Sequence, residues 1–447
     1  MASSEQLKKL ARTYWHYAFV AACGALAVAY AFPGYMNYDS SAQLAQARAR
    51  IYDDWHPPIM AKYWHYVDLL VRGPLLLLLL QISLFLCGLV AFLGPRIGKR
   101  PAAVASGLIL LFPPILVVMA VVWKDAQMTA FMVAGLGLTS QKPIGQRIAG
   151  WLMLCIAVAL RDNAVAALLP LTIFIVRTYG CHSKLKTSCI AVLISATITF
   201  LAFATNRLIT TRHAHAWYVS NAIHDIAGTL CKAERLSDDE VRFELAGVAL
   251  RQTADLQRQF CDRYNPRWWF ALSDATSGVF NAVPDENERA ARKIAYGVVV
   301  RSHPGAFLRH RVAVFAAMVG LNEEAPDEPV CQSFAGTDVQ AAKLNLNRDP
   351  TDFQRKLGGF FVWLARTALF RPWVYALLSL PLVVWAIRRR DVVVMAVIGS
   401  GTLYESGYAL GAAGTPYRYS HYFVICVVVS GVYVACKWAA ITPRPPA

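Results

Sequence analysis

Charge is scarce in this chain of 447 residues, and acid is scarcer than base. Charged side chains make up 16% of it, and 28 Asp and Glu stand against 44 Lys and Arg. A soluble globular chain carries about 25% charged residues, so an ordinary soluble enzyme is excluded. The chain has no Cys-x-x-Cys pair and no Cys/His spacing of the kind that holds zinc. It has no internal repeat and no low-complexity linker, and its apolar composition argues against a disordered chain. Its ten cysteines are scattered and do not form a disulfide framework. Six of them (Cys23, Cys87, Cys155, Cys189, Cys426 and Cys436) lie in apolar stretches, where a buried free thiol is the default. What is abundant is apolar: 56% of the residues are hydrophobic. With that content, the net charge of +16 points to a membrane, where Lys and Arg gather on one side. It does not point to nucleic acid.

A spanning helix needs roughly 20 apolar residues. The first candidate, about 14–32, follows Lys8, Lys9 and Arg12 and has no small-residue cleavage site, so it reads as a retained helix. Nine more runs lie at about 74–94, 102–122, 126–140, 148–160, 164–177, 188–208, 367–387, 391–411 and 417–437. With the N-terminus inside, ten spans place every basic cluster in the cytoplasm: Arg96/Lys99/Arg100, Lys142/Arg147, Arg177/Lys184/Lys186, Arg388–Arg390 and Lys437/Arg444. This plan needs Arg161-Asp162-Asn163 to be an external turn between two short helices.

The acids show the opposite bias. Only seven precede residue 221, and 19 fall between 221 and 358. That polar, helix-patterned stretch includes Ser237-Asp238-Asp239-Glu240, a helix start. The expected fold class is therefore mainly α: a polytopic membrane protein of about ten transmembrane helices with a mostly helical extracytoplasmic insert. Its parts are an N-terminal membrane block at 1–208, a soluble domain at 209–358 and a C-terminal membrane block at 359–447. Both termini are expected in the cytoplasm. Cys231, Cys261 and Cys331 could supply one disulfide in an oxidising compartment, with the pairing open.

The chemistry is expected in the first external loop, 34–73. Asp39 sits where helix one leaves the bilayer, followed by Gln43 and then by Asp54-Trp55-His56-Pro57-Pro58. A carboxylate at that depth can act as a general base or hold a divalent cation, with Asp54 and His56 as acid–base partners and Asp39 and His56 as candidate metal ligands. The plainer reading makes Asp39 a helix cap. A second set is cationic: Lys124 beside Asp125, Arg161 beside Asp162, and Arg418 before the last helix. Ionisable groups at membrane depth are paired or functional, and Arg suits phosphate because its planar fork donates two hydrogen bonds. The plainer reading makes the first two local ion pairs. Arg301, His303, Arg309, His310 and Arg311 could meet lipid head groups before an interfacial run at 312–321, and Trp268-Trp269 and Trp217-Tyr218 could stack on sugar rings.

Taken together, the acid after helix one (Asp39), the long external loop, the short helices, the insert and the boundary Arg418 resemble the GT-C superfamily of polytopic glycosyltransferases. The adjacent acid pair of the mannosyltransferase members is missing, since Ser40 follows Asp39. The resemblance implies an inverting hexosyl or pentosyl transfer from a polyprenyl-phosphate-linked sugar to a surface glycan or glycolipid acceptor. The catalytic residues would be Asp39, Asp54 and His56, with Gln43, Lys124, Arg161 and Arg418 on the lipid phosphate. A divalent cation (Mg or Mn) could sit at Asp39 and His56, with Asp54 beside them, or the three groups could act without metal. The expected partners are the lipid-linked donor, the acceptor and membrane lipids, with no nucleic acid, at the inner membrane of a bacterium. The competing expectations are a transporter or flippase, or a polymerase or ligase, for lipid-linked saccharides, and a non-enzymatic assembly or sensor protein with 209–358 as its binding module.

Overall fold

The computed structural model describes residues 4–181, 183–251, 254–274, 276–322, 329–335, 338–346 and 348–441. Arg444, one of the expected cytoplasmic cations, lies outside the described residues. Every regular element among the described residues is helical, with only isolated bridges between extended residues. The N-terminal helices are α1 (Ser4–Ala31), α2 (Tyr38–Ala49), α3 (Ile59–Leu70), α4 (Leu75–Ile97), α5 (Lys99–Leu111), α6 (Pro113–Met119), α7 (Lys124–Thr139), α8 (Ile144–Leu160), α9 (Ala164–Thr178) and α10 (Lys184–Ile209). The polar stretch forms α11 (Ala216–Val219), α12 (Asn221–Lys232), α13 (Asp238–Glu244), α14 (Leu256–Arg263), α15 (Glu286–Ser302), α16 (Pro304–Met318) and α17 (Asp338–Leu344). The chain closes with α18 (Asp352–Ala365), α19 (Pro372–Arg389), α20 (Val392–Gly411) and α21 (His421–Ile441).

Four helical segments are long and apolar enough to cross a membrane: Thr13–Ala31, Leu75–Ile97, Lys184–Ile209 and Tyr417–Ala439. The run expected as one straight helix at 102–122 is two helices, α5 and α6, bent by 73°. Proline explains the break. Pro113 and Pro114 have no N–H to offer a preceding carbonyl, and Pro113 forces Phe112 into extended backbone (φ −63°, ψ 120°). Counting the bent pair as one span makes five.

Beyond α6 the backbone stays irregular until Lys124, and side chains satisfy it. Gln81 of α4 donates to the carbonyl oxygens of Met119 (2.7 Å) and Val121 (3.0 Å). Gln127 donates to Gln81 Oε1 (2.7 Å) and Leu77 O (3.0 Å), and Tyr63 donates to Gln127. Tyr35 brackets the same segment, accepting from Val122 and donating to Ala120. Non-helical backbone buried among apolar helices survives only with such partners. Here the network delivers Trp123 and Lys124 to a defined place.

Small residues let α4, α7 and α8 approach closely. A Cβ at Gly88 would stand 2.6 Å from the Ala134 nitrogen, and one at Gly150 would stand 2.6 Å from the Thr139 nitrogen. Neither neighbour can give way, because both are backbone. Gly88→Val is expected to cost about 1–3 kcal/mol, read as a lower unfolding midpoint in detergent. Gly145→Val, which meets nothing within 4 Å, is the control.

The first loop, expected as a polar loop, is largely two packed helices. Leu44 and Ala47 of α2 bury with Met60, Ala61 and Trp64 of α3. The cap of α2 is Asn37, whose side chain accepts from Ser40 N, so Asp39 is not the capping residue. In the polar stretch, Ser237 and Glu240 form the expected capping box, and Cys231 pairs with Cys261. A second core (Ile223, Ile226, Leu230, Phe260, Phe280, Val299) belongs to this stretch alone. Val314 and Met318 of α16 instead join the main core.

Candidate functional site

Five residues singled out in the sequence meet in one cluster. Asp39 stands in the first turn of α2. Its Oδ2 accepts from Nη2 of Arg418 (2.5 Å), in the short helical turn Tyr417–Ser420 before α21. Its Oδ1 faces Nε2 of His56 at 3.5 Å. His56 Nδ1 lies 2.5 Å from Nζ of Lys124, at the start of α7. Arg161, the residue that ends α8, pairs with Asp125 at 2.8 Å, and Arg418 Nε lies 3.9 Å from the same carboxylate. Lys124 and Asp125 are therefore not a local pair, and neither are Arg161 and Asp162. Lys124 turns to His56, while Asp125 lies between two arginines.

Aromatic rings wall the cluster. The Arg418 guanidinium stacks over Trp123 (4.8 Å) and that of Arg161 over Tyr419 (4.8 Å). Tyr408 of α20 accepts a hydrogen bond from Arg161 (2.5 Å), and its ring lies parallel to Tyr419 at 4.6 Å. These rings exclude water from one side of each guanidinium, which strengthens its charge toward the open side. Asp125 keeps 1% of its side-chain surface open and Asp39 keeps 21%. Asp39 is thus the carboxylate an incoming molecule can reach, and Asp125 is a buried counterion.

Protonation follows from these contacts. Burial works to raise the Asp39 carboxyl, but Arg418, His56 and Lys124 outweigh it and hold it well below the usual carboxylate range. Burial and the Lys124 ammonium push His56 below its ordinary value, against the pull of Asp39. A neutral His56 that accepts from Lys124 at Nδ1 carries its proton on Nε2, facing Asp39. Both groups bind protons more weakly folded than unfolded. Stability should therefore fall as the pH drops below about 6.5, where unfolded histidine starts to take up protons. The expected result is a lower unfolding midpoint at pH 5 than at pH 7.5, with a smaller drop in His56→Gln.

Two of the sequence candidates lie apart. Asp54, expected to be catalytic, is turned away from the cluster: its carboxylate accepts from Ala214 N (2.5 Å) and pairs with His213 (2.8 Å). With Asp53–Arg212 and Tyr52–Thr211, it pins the loop to the segment after α10 and so aims Trp55 and His56. Gln43 donates to the Asp39 carbonyl oxygen at 3.5 Å and does not reach the cations. A divalent cation fits this donor set poorly. Asp39 already serves Arg418, His56 Nδ1 already serves Lys124, Asp54 is elsewhere, and three cations crowd the two acids. The same arrangement suits an anion.

Trp269 packs at a tilt against Trp55 (5.8 Å), and Arg267 O accepts from Thr415 N, so the 267–269 turn lies beside both lips of the cluster. Trp217 packs on Tyr218 and Tyr296. Sequence reasoning did not assign Asp125 and Tyr408 to the site. Asp125 did carry a signal, because adjacent residues on a helix do not face each other, so it needed a partner other than Lys124.

No family model matches this chain, and neither the curated proteins nor the solved structures searched contain a match. Fold and site define a class in physical terms. The chain is a helical protein with segments long and apolar enough to cross a membrane, carrying a cationic, aromatic-walled cluster around one reachable carboxylate.

Proposed function

We propose that this chain is an integral membrane glycosyltransferase. In this reading it moves a sugar from a polyprenyl-phosphate-linked donor to a glycan or glycolipid acceptor on the extracytoplasmic face of a bacterial inner membrane. Ten spans and cytoplasmic termini complete the topology. The observation that carries the reading is one cluster in which Lys124 meets His56, Arg418 meets Asp39, and Arg161 joins through Asp125, which Arg418 also faces. Three cations from three separate elements suit a lipid phosphate, and the carboxylate beside them suits an acceptor hydroxyl.

The chemistry follows. Asp39 takes the proton of the acceptor hydroxyl, and the oxygen attacks the anomeric carbon from the face opposite the phosphate. The carbon–oxygen bond to phosphate breaks, and its electron pair leaves with the lipid phosphate. That group gains one negative charge, which Lys124, Arg161 and Arg418 stabilise. Arg418 has a second role. In the resting site it neutralises Asp39, and a bound phosphate competes for its guanidinium. Asp39 loses part of its cationic neighbour and becomes a stronger base only when the donor is in place.

The test is transfer by purified protein in lipid nanodiscs, with labelled polyprenyl-phosphate sugar and a cell-envelope acceptor fraction. Label leaving the lipid for the acceptor, in wild type and not in Arg418→Ala, supports the reading. Label that stays on the lipid but crosses between leaflets in vesicles overturns it in favour of a flippase.

A further inference from the structure

Arg311, considered in the sequence for lipid head groups, is buried and points into the protein. Its Nε donates to Ala409 O (3.0 Å), Nη1 to Ala412 O (2.9 Å) and Nη2 to Tyr408 O (3.1 Å). Tyr408 and Ala409 lie in the last turn of α20 and Ala412 follows it as the cap; Tyr408 O also accepts from Ala412 N, while the last carbonyls of a helix otherwise lack partners within it. A cation there also meets the negative end of the helix dipole. Nη1 donates as well to Asp225 Oδ1 of α12 (2.8 Å).

Asp225 is itself held. It accepts from Nε2 of His310 (2.8 Å), whose Nδ1 bonds the Tyr264 hydroxyl (2.7 Å). His310 lies flat on Gly228, where a Cβ would collide with its ring. His224, Asp225 and His310 bring ligand atoms within 4.8 Å of one another. Yet both His310 nitrogens are engaged, and a guanidinium sits on the carboxylate, so the group suits a neutral relay better than a metal ion.

Tyr408 joins this network to the cationic cluster. Its carbonyl accepts from Arg311, while its phenol accepts from Arg161 and bonds Tyr404 (3.1 Å). We infer that the Asp225–Arg311 pair is a positioning device: it clamps the end of α20, sets Tyr408, and through Tyr408 holds Arg161 where it binds phosphate. The polar stretch thereby controls an anion site built in the apolar helices. Arg311 and Asp225 touch no substrate and act through Tyr408. The inference rests on the reading of Arg161 as a phosphate-binding group.

The experiment uses the full chain in nanodiscs and two readouts. The first needs no ligand: the rate at which phenylglyoxal modifies Arg161, followed by peptide mass spectrometry. The second is the affinity for farnesyl phosphate. Asp225→Asn keeps size and is the primary variant; Arg311→Lys keeps charge but loses the fork. Both should raise Arg161 modification several-fold and weaken farnesyl phosphate about tenfold; Asp225→Asn also takes the buried counterion from Arg311 and should lower the unfolding midpoint, so both readouts are taken well below that midpoint. In an Arg161→Ala background, Asp225→Asn should weaken binding no further, whereas a merely structural role would add its full effect. Unchanged Arg161 modification in Asp225→Asn, or additive losses, overturns the inference. Wild type failing to bind farnesyl phosphate overturns the phosphate reading instead, and the modification rate still decides whether Asp225 sets Arg161.

Discussion

Asp39→Asn is expected to abolish sugar transfer while leaving the protein folded and its donor bound. The amide keeps the shape of the side chain and still accepts a hydrogen bond from Arg418, so the cluster stays assembled. It cannot take a proton from a hydroxyl. Loss of a positioned base costs about 10²–10⁴-fold in rate. Binding should move the other way. Asp39 pairs with Arg418, and in the proposed reading it competes there with the lipid phosphate; removing its charge frees that cation, so farnesyl phosphate should bind Asp39→Asn at least as tightly as wild type. Loss of rate with retained binding separates a missing base from a damaged site. Full activity in the variant would sink the assignment of Asp39.

The largest stability effect is expected at Asp125. Its carboxylate is almost fully buried, pairs with Arg161 at 2.8 Å and lies 3.9 Å from Arg418. Asp125→Ala leaves two buried guanidiniums without that counterion. Breaking a buried pair in this way costs about 3–5 kcal/mol, because the charge left behind is desolvated and uncompensated. Asp54→Ala removes a carboxylate whose pair with His213 is solvent-exposed, and such pairs are worth about 0–1 kcal/mol. Unfolding both variants side by side in detergent should separate them clearly. Equal losses would mean that Asp125 is not the counterion of the cluster.

The apolar runs were legible as helices because hydropathy belongs to each element by itself, although the runs at 102–122 and 367–387 are broken before Pro113 and Pro372 and only four segments, or five with the bent pair, are long and apolar enough to cross a membrane. Asp39, His56, Lys124, Arg161 and Arg418 were also legible, since charge at the edge of an apolar run is costly wherever the chain goes. Their partners were less so. Asp39 and Arg418 are 379 residues apart, and no local pattern encodes a contact that only packing creates. Asp54 misled because its neighbours, Trp55 and His56, do face the site, while its own side chain turns back to residues 213–214. Arg311 was the opposite error: a basic run read as exposed, where the helix buries one of its cations beneath the end of another helix.

The glutamines at the irregular joint have a consequence for how the chain enters a bilayer. Gln81 must cross into an apolar phase to reach the carbonyls of Met119 and Val121, and an amide resists that step before its partners arrive. Six leucines, Leu75–Leu80, precede it directly. At about 0.3–0.6 kcal/mol each near the centre of a span, they favour insertion enough to carry the amide in. Gln81→Leu should therefore insert more readily and fold less well, since it strands two carbonyls. Insertion efficiency and final stability, which hydropathy alone would tie together, are set against each other at this one position.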